Sequence, residues 1–187
     1  ADARAVLRHP LVALLGALLF FQAGTEMLLS GYLTTFLTSE TGASVRAASL
    51  VLSGFWVALI TARVLLGRVL LHVSALALVP LMAVCAAAAL AMATLAPGFA
   101  AASVLLLVAA LAYSGVMPTV LGVAGAALPA RTGTVFGLLF SLSVTGAMTV
   151  PWAAGHLAAA FGIRVVLVLG AAGFAVVTLL ALKARSL

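Results

Sequence analysis

Apolar residues run through this chain in long stretches, interrupted by short clusters of Gly, Pro, Arg and small polar residues. Six stretches stand out, at 10–38, 46–71, 74–95, 99–128, 132–161 and 163–182. A helix crosses the hydrocarbon of a bilayer with about 20 mostly apolar residues, so each stretch predicts one transmembrane helix. The connections, at 39–45, 70–73, 96–98, 129–131 and Gly162, hold most of the turn-forming residues. No soluble domain fits between them. The whole chain, 1–187, reads as one six-helix transmembrane bundle.

Polarity is uneven among the six. The first stretch carries Gln22, Glu26, Ser30 and Thr34 at successive spacings of four, which on a helix makes one slowly winding polar stripe. The fourth carries Tyr113, Ser114, Gly115, Pro118 and Thr119 near its middle. The third and sixth are almost uniformly Ala, Leu and Val, as expected of helices that face lipid. The second and fifth are intermediate. In the fifth, Gly133, Gly137, Ser141, Thr145 and Thr149 recur every four positions, a spacing that lets helices approach closely in lipid. The order is cavity helix, packing helix, outer helix, then the same again. That order predicts an all-α membrane fold built as a three-plus-three repeat.

Composition excludes the alternatives. Of 187 residues, 66% are hydrophobic and 6% charged, against roughly 25% charged in a soluble domain. Mean hydropathy is +1.39. The formal charge of +6 comes from nine Lys and Arg against three acids, scattered singly between apolar stretches. No basic stripe exists to neutralise a phosphate backbone, so nucleic acid is not an expected partner. With six crossings, Arg4, Arg8, Arg68, Arg131, Lys183 and Arg185 fall on one side and Arg46 and Arg164 on the other. Basic residues accumulate in cytoplasmic loops, so both termini are expected in the cytoplasm. The predominance of Arg over Lys and the abundance of Ala suggest a GC-rich bacterial gene, hence a cytoplasmic (inner) membrane. The chain opens at Ala1 without a signal-peptide pattern, and a fragment or trimmed domain is expected.

Enzymatic signatures are missing. The sequence holds no P-loop, no Gly-x-Ser-x-Gly elbow and no His-Glu-x-x-His helix, and its one Asp is Asp2. His9 and His72 belong to one side of the membrane and His156 to the other, so the histidines cannot share a metal. The single Cys85 excludes an internal disulfide. Neither a catalytic site nor a cofactor is expected.

The intramembrane polar residues carry the candidate chemistry. A charge at a helix centre costs about 2.5 to 3.5 kcal/mol on insertion scales, so Glu26 is expected to face a wet cavity or a partner. It is read as a substrate hydrogen-bond acceptor or a proton carrier, with a neutral acid bonding a neighbouring helix as the bland alternative. Gln22 and Ser30 share its stripe. Trp56, Tyr113, Met117 and Thr119 are candidates to stack on or bond a solute, although aromatic and Met residues in apolar helices commonly serve packing. Arg63 lies about 10 Å of helix from the cytoplasmic loop, whereas Glu26 is nearer the midplane. A direct pair is therefore not expected. Arg63 is read as snorkelling or capping the carbonyl end of a neighbouring helix, with a gate contact as the alternative. Pro118 and Pro151 are expected to bend their helices, and Trp152 to anchor at the outer interface.

Several runs resemble major facilitator transporters close to the fucose permease group. Phe21-Gln22-Ala23-Gly24-Thr25-Glu26, followed by Gly31-Tyr32-Leu33 and Thr38-Ser39-Glu40-Thr41-Gly42, is similar to that group's seventh helix. Phe55-Trp56, Arg63 and Gly67-Arg68 look like its eighth helix and the loop after it. Met117-Pro118-Thr119-Val120 and Arg131-Thr132-Gly133-Thr134 look like its tenth helix and the start of the eleventh. The resemblance covers essentially the whole chain and only the second six of twelve helices. It implies the carboxyl-terminal half of a secondary transporter for a small polar, sugar-like solute, completed by an amino-terminal six-helix half, with gating contacts at Arg63 and Arg68. The sequence departs from the group at Ala62, where glycine is usual, and lacks the acidic member of the loop motif between Gly67 and His72. In that group the proton-carrying carboxylates lie in the first six helices, so Glu26 inherits no role by matching. A drug or metabolite exporter of the same superfamily and a non-transporting six-helix scaffold are the alternative functions.

Overall fold

A computed structural model describes residues 9–69 and 75–186; the side chains of residues 68, 69, 75 and 76 lie outside that description, and with them Arg68, as do Arg4, Arg8 and His72. Among the described residues the helices are α1 (Pro10–Thr41), α2 (Val45–Val69), α3 (Ala75–Ala93), α4 (Phe99–Tyr113), α5 (Val116–Ala127), α6 (Thr132–Phe161) and α7 (Val165–Arg185). A 3-10 turn, Pro129–Arg131, leads into α6. The fourth expected span is thus two helices, α4 and α5, meeting at Ser114 and Gly115. Five spans are long and apolar enough to cross a membrane, and the third is a shorter apolar helix next to residues 70–74.

The connections follow local chemistry. Pro10 opens α1 at its first position, where a missing N–H costs nothing. Gly42 closes it with φ 67°, a left-handed conformation that glycine adopts without strain. The Ser44 hydroxyl then accepts the Ala47 N–H at 3.2 Å, which caps the start of α2. Gly162, with φ 86°, turns the chain from α6 into α7.

Close approaches at glycines fix the packing. A side chain at Gly16 would meet Leu142, one at Gly24 would stand 2.8 Å from the Gly146 carbonyl, and one at Gly155 would strike the Tyr32 hydroxyl. Partner numbers rise together, so α1 and α6 run parallel. At Gly146 a Cβ would collide with the Phe20 backbone, so the two helices touch main chain to main chain there. On α2, Gly54 faces Leu107, Arg63 reaches Ser114 and Leu66 lies on Gly115, so α2 runs parallel to span four. Exchanging spans one with four and two with five turns the first pairing into the second. The packing of α7 on α1 likewise matches that of α3 on α4, and α3 packs on α7. The architecture follows the three-plus-three order.

Two expectations change here. The small-residue stripe of α6 is not its packing face: Gly133 and Gly137 have nothing within 4 Å of a would-be Cβ, and the hydroxyls of Ser141, Thr145 and Thr149 each donate to the carbonyl four residues back, at 2.8 Å. Self-bonded hydroxyls need no neighbour, and the close approach comes at Gly146 instead. Nor are α3 and α7 the most exposed helices. Half of the most apolar stretch is buried in spans one and four and 39% in α7, against 22% in span five and 11% in α2. A uniform Ala, Leu and Val composition does not mark which side packs, so α3 and α7 also bury a face. Pro151 sits inside α6 without ending it.

Candidate functional site

The site begins with the four-residue spacing on α1. One helical turn places Gln22 beside Glu26, and the Gln22 Nε2 donates to Glu26 Oε2 at 2.8 Å. From α2, Arg63 Nη2 donates to both carboxylate oxygens at 3.3 Å. This corrects the expectation that the two charges stay apart. Measured from the turn that joins α1 to α2, Glu26 lies 15 residues back from Thr41 and Arg63 lies 18 residues on from Val45. At about 1.5 Å per residue the difference in depth is roughly 4 to 5 Å, within reach of an arginine side chain.

Arg63 also caps a carbonyl, as its other reading anticipated. Its Nε donates to the Ser114 carbonyl at 3.0 Å. In an unbroken helix that carbonyl would receive the N–H of residue 118, but Pro118 has none and its ring would clash there. The break between α4 and α5 follows from that proline, and the guanidinium takes the place of the missing donor. Gly115 completes the joint, because any side chain on it would overlap Leu66 Cδ2 and crowd Met82.

Arg63 holds the Glu26 carboxylate from behind, and Glu26 borders a cleft of about 190 Å³. Its walls are Gln22, Ala23, Glu26 and Met27 from α1, Met117 from α5, and Phe140, Ser143, Val144 and Ala147 from α6. Glu26 is 13% exposed and Arg63 34%, so the pair is neither sealed in the core nor free in solvent. Gln22 Oε1 is buried without a hydrogen-bond partner. The Ser143 hydroxyl donates to Leu139 O at 2.9 Å and keeps lone pairs free to accept. The cleft wall is predominantly apolar, with the surfaces of Phe140 and Met117 beside a few hydrogen-bonding groups, an arrangement common to small-molecule sites.

Of the residues singled out in the sequence, Gln22, Glu26 and Met117 meet at this cleft, with Arg63 bound to Glu26 behind it. Ser30 lies one turn further along α1 and donates to Met27 O at 3.2 Å. Tyr113 is fully buried between Phe55 and Phe174, with ring centroids at 6.3 and 4.7 Å. Thr119 is buried too, and neither hydroxyl has a partner. Trp56 stacks edge-on against Phe55 on the half-exposed side of α2. None of these four lines the cleft. Phe140, Ser143 and Ala147 were missed. They follow a spacing of three and four along α6, but so do its other faces, and the stripe at Ser141 and Thr145 drew attention one step away. Trp152 is exposed and packs edge-on against His156, 4.8 Å between centroids.

No family model matches the sequence, and no curated protein matches it. Solved structures do. The chain superposes on the fucose:proton symporter FucP of E. coli, in a single-residue variant, with a TM-score of 0.82 and 19% identity, covering 97% of this chain and 44% of that one. It matches a major facilitator superfamily transporter, FucP in the outward conformation, with a TM-score of 0.83 and 19% identity over the same shares. The chain spans less than half of these proteins, which are transporters rather than enzymes. At this identity the likeness establishes the fold, one half of a major facilitator architecture.

Proposed function

We propose that this chain is the carboxyl-terminal half of a secondary active transporter that carries a small, uncharged, sugar-like solute across a cytoplasmic membrane by alternating access. The observation that carries this reading is the cleft at mid-span bordered by Gln22 and Glu26, with Arg63 bound to Glu26 behind it. Placing two charges in lipid is costly, and pairing them leaves a site of no net charge on which Gln22 Oε1 is an unpartnered acceptor. Such a site suits a polyol better than a cation, since a cation would compete with Arg63 for the carboxylate. Glu26 is also the protonatable group on the cleft wall, which supports coupling to a proton.

The missing wall is the amino-terminal six-helix half. Val57, Ile60 and Val64 of α2 and Val144, Met148 and Trp152 of α6 are exposed apolar residues, and Val144 also lines the cleft. A second bundle laid across them would cover α2 and α6 and close the site, and rocking of the two halves about the cleft would expose it to each side in turn. Both termini lie in the cytoplasm by the distribution of basic residues. Arg68 is retained as a gating residue.

Uptake measurements test the site. In cells carrying the complete transporter, Glu26→Gln and Gln22→Ala are expected to lower uptake by about tenfold or more at normal membrane abundance, the loss of one or two charge-assisted hydrogen bonds. Unchanged uptake in both variants would remove the cleft from the transport path. Selective export of hydrophobic compounds, with no response to polyols, would favour the exporter; no transport of any kind would leave the scaffold.

A further inference from the structure

Arg63 touches two things that have no other reason to be joined: the carboxylate of Glu26 on α1 and the Ser114 carbonyl left without a donor by Pro118 in span four. From this geometry we infer that Arg63 is a positioning residue that couples the charge state of Glu26 to the joint between α4 and α5. The inference rests on the reading of the Glu26 cleft as the solute site, but it concerns how occupancy there is transmitted.

One guanidinium bridges the two partners, its Nε on the Ser114 carbonyl and its Nη2 on the Glu26 carboxylate. While Glu26 is ionised and free of solute, Arg63 is held by two carboxylate oxygens on one side and the carbonyl on the other, and span four is tied to α1 at its break. A proton on Glu26, or a solute hydroxyl that takes up its lone pairs, weakens the first hold. Among the described residues the ionisable group bonded to Glu26 is Arg63 from α2, while the Tyr113 hydroxyl on α4 is buried without a hydrogen-bond partner. On the cleft side α5 and α6 present only uncharged residues, Met117, Phe140 and Ser143 among them. No second cation there takes over when the pair loosens.

The joint is held from α2. Ser114 and Gly115 lie between two helices, the Thr119 N–H donates to the Gly115 carbonyl at 3.1 Å, and Leu66 rests on Gly115 one turn beyond Arg63. Helix α2 thus holds the break with two side chains three residues apart, one polar and one apolar. Released from α1, α5 is free to swing about Gly115 with Met117, which lines the cleft. Closure of the site and neutralisation of Glu26 then become one event.

The test is hydrogen exchange of the backbone amides of Val116, Met117, Thr119 and Val120 in the protein held in lipid nanodiscs, and it needs no transport. Glu26→Gln is expected to speed exchange there by about tenfold, the worth of one charge-assisted bond. Arg63→Gln is expected to do the same, and the double variant to add no more than about twofold, because both act through one link. Pro118→Ala restores an N–H to the Ser114 carbonyl, so in that background Arg63→Gln should change exchange by less than about twofold. Unaltered exchange in Glu26→Gln overturns the coupling, and so does an equal effect of Arg63→Gln with and without Pro118. Glu26→Gln is nearly isosteric and decides the matter even if Arg63→Gln does not fold. Failure of uptake with the exchange pattern intact would count against the transport reading and leave the coupling standing.

Discussion

Helix α1 carries two glutamates, and each is paired with an arginine from another helix. Glu40, near the end of α1, binds Arg164 at the start of α7. Glu26, in the middle of the span, binds Arg63 of α2. The pairs are alike in chemistry and unlike in surroundings. Arg164 is 58% exposed and Glu40 24%, against 34% and 13% for Arg63 and Glu26. At the rim, water and salt screen both charges, and either can be lost with its partner rehydrated. At mid-span both charges are less exposed and less screened, so a charge that loses its partner is compensated less well. The rim pair fastens two helix ends. The central pair is supported further by Gln22 and by the Ser114 carbonyl, so its arginine has a second task that Arg164 lacks.

The contrast breaks or sharpens under mutation. Arg63→Ala should have the largest effect, a loss of about 3 to 5 kcal/mol of stability because it strands Glu26. Adding Glu26→Gln should restore more than half of that loss, as measured by denaturant unfolding in micelles. Gly146→Ala comes next. It forces α1 and α6 apart at the Phe20 backbone, at an expected cost of about 2 to 3 kcal/mol, and it should disturb the cleft, which α1 and α6 both line, while leaving the Glu40 pair intact. Glu40→Gln should cost the least, below about 1 kcal/mol and less still at high salt. If Glu40→Gln proves as damaging as Arg63→Ala, exposure is not what separates the two pairs.

Much of this organisation was legible beforehand. The apolar stretches located all six spans, because a bilayer imposes a length that sequence can show directly. The four-residue stripe through Gln22 and Glu26 marked the helix that carries the site, and Pro118 marked a bend. Azimuth was not legible. Helical spacing says that Phe140, Ser143 and Ala147 share a face but not which way it turns, and the stripe at Ser141 and Thr145 is equally regular. Depth was misjudged for Arg63 because it was counted from the cytoplasmic loop; counted from the turn at Gly42, it falls almost level with Glu26. Tyr113 and Thr119 are polar residues on a central helix, yet they point into packing, a distinction that depends on Phe55 and Phe174, which lie 58 and 61 residues away from Tyr113 in sequence.

The central claim is that water and solute reach the cleft beside Glu26. With Cys85 replaced by alanine, a single cysteine at Ala147, on the cleft wall, can be labelled in intact membranes. A charged, membrane-impermeant thiol reagent is predicted to react there, and the transported solute to slow that reaction. Reaction only with a lipid-soluble reagent, indifferent to any solute, would place the cleft against acyl chains and contradict the account.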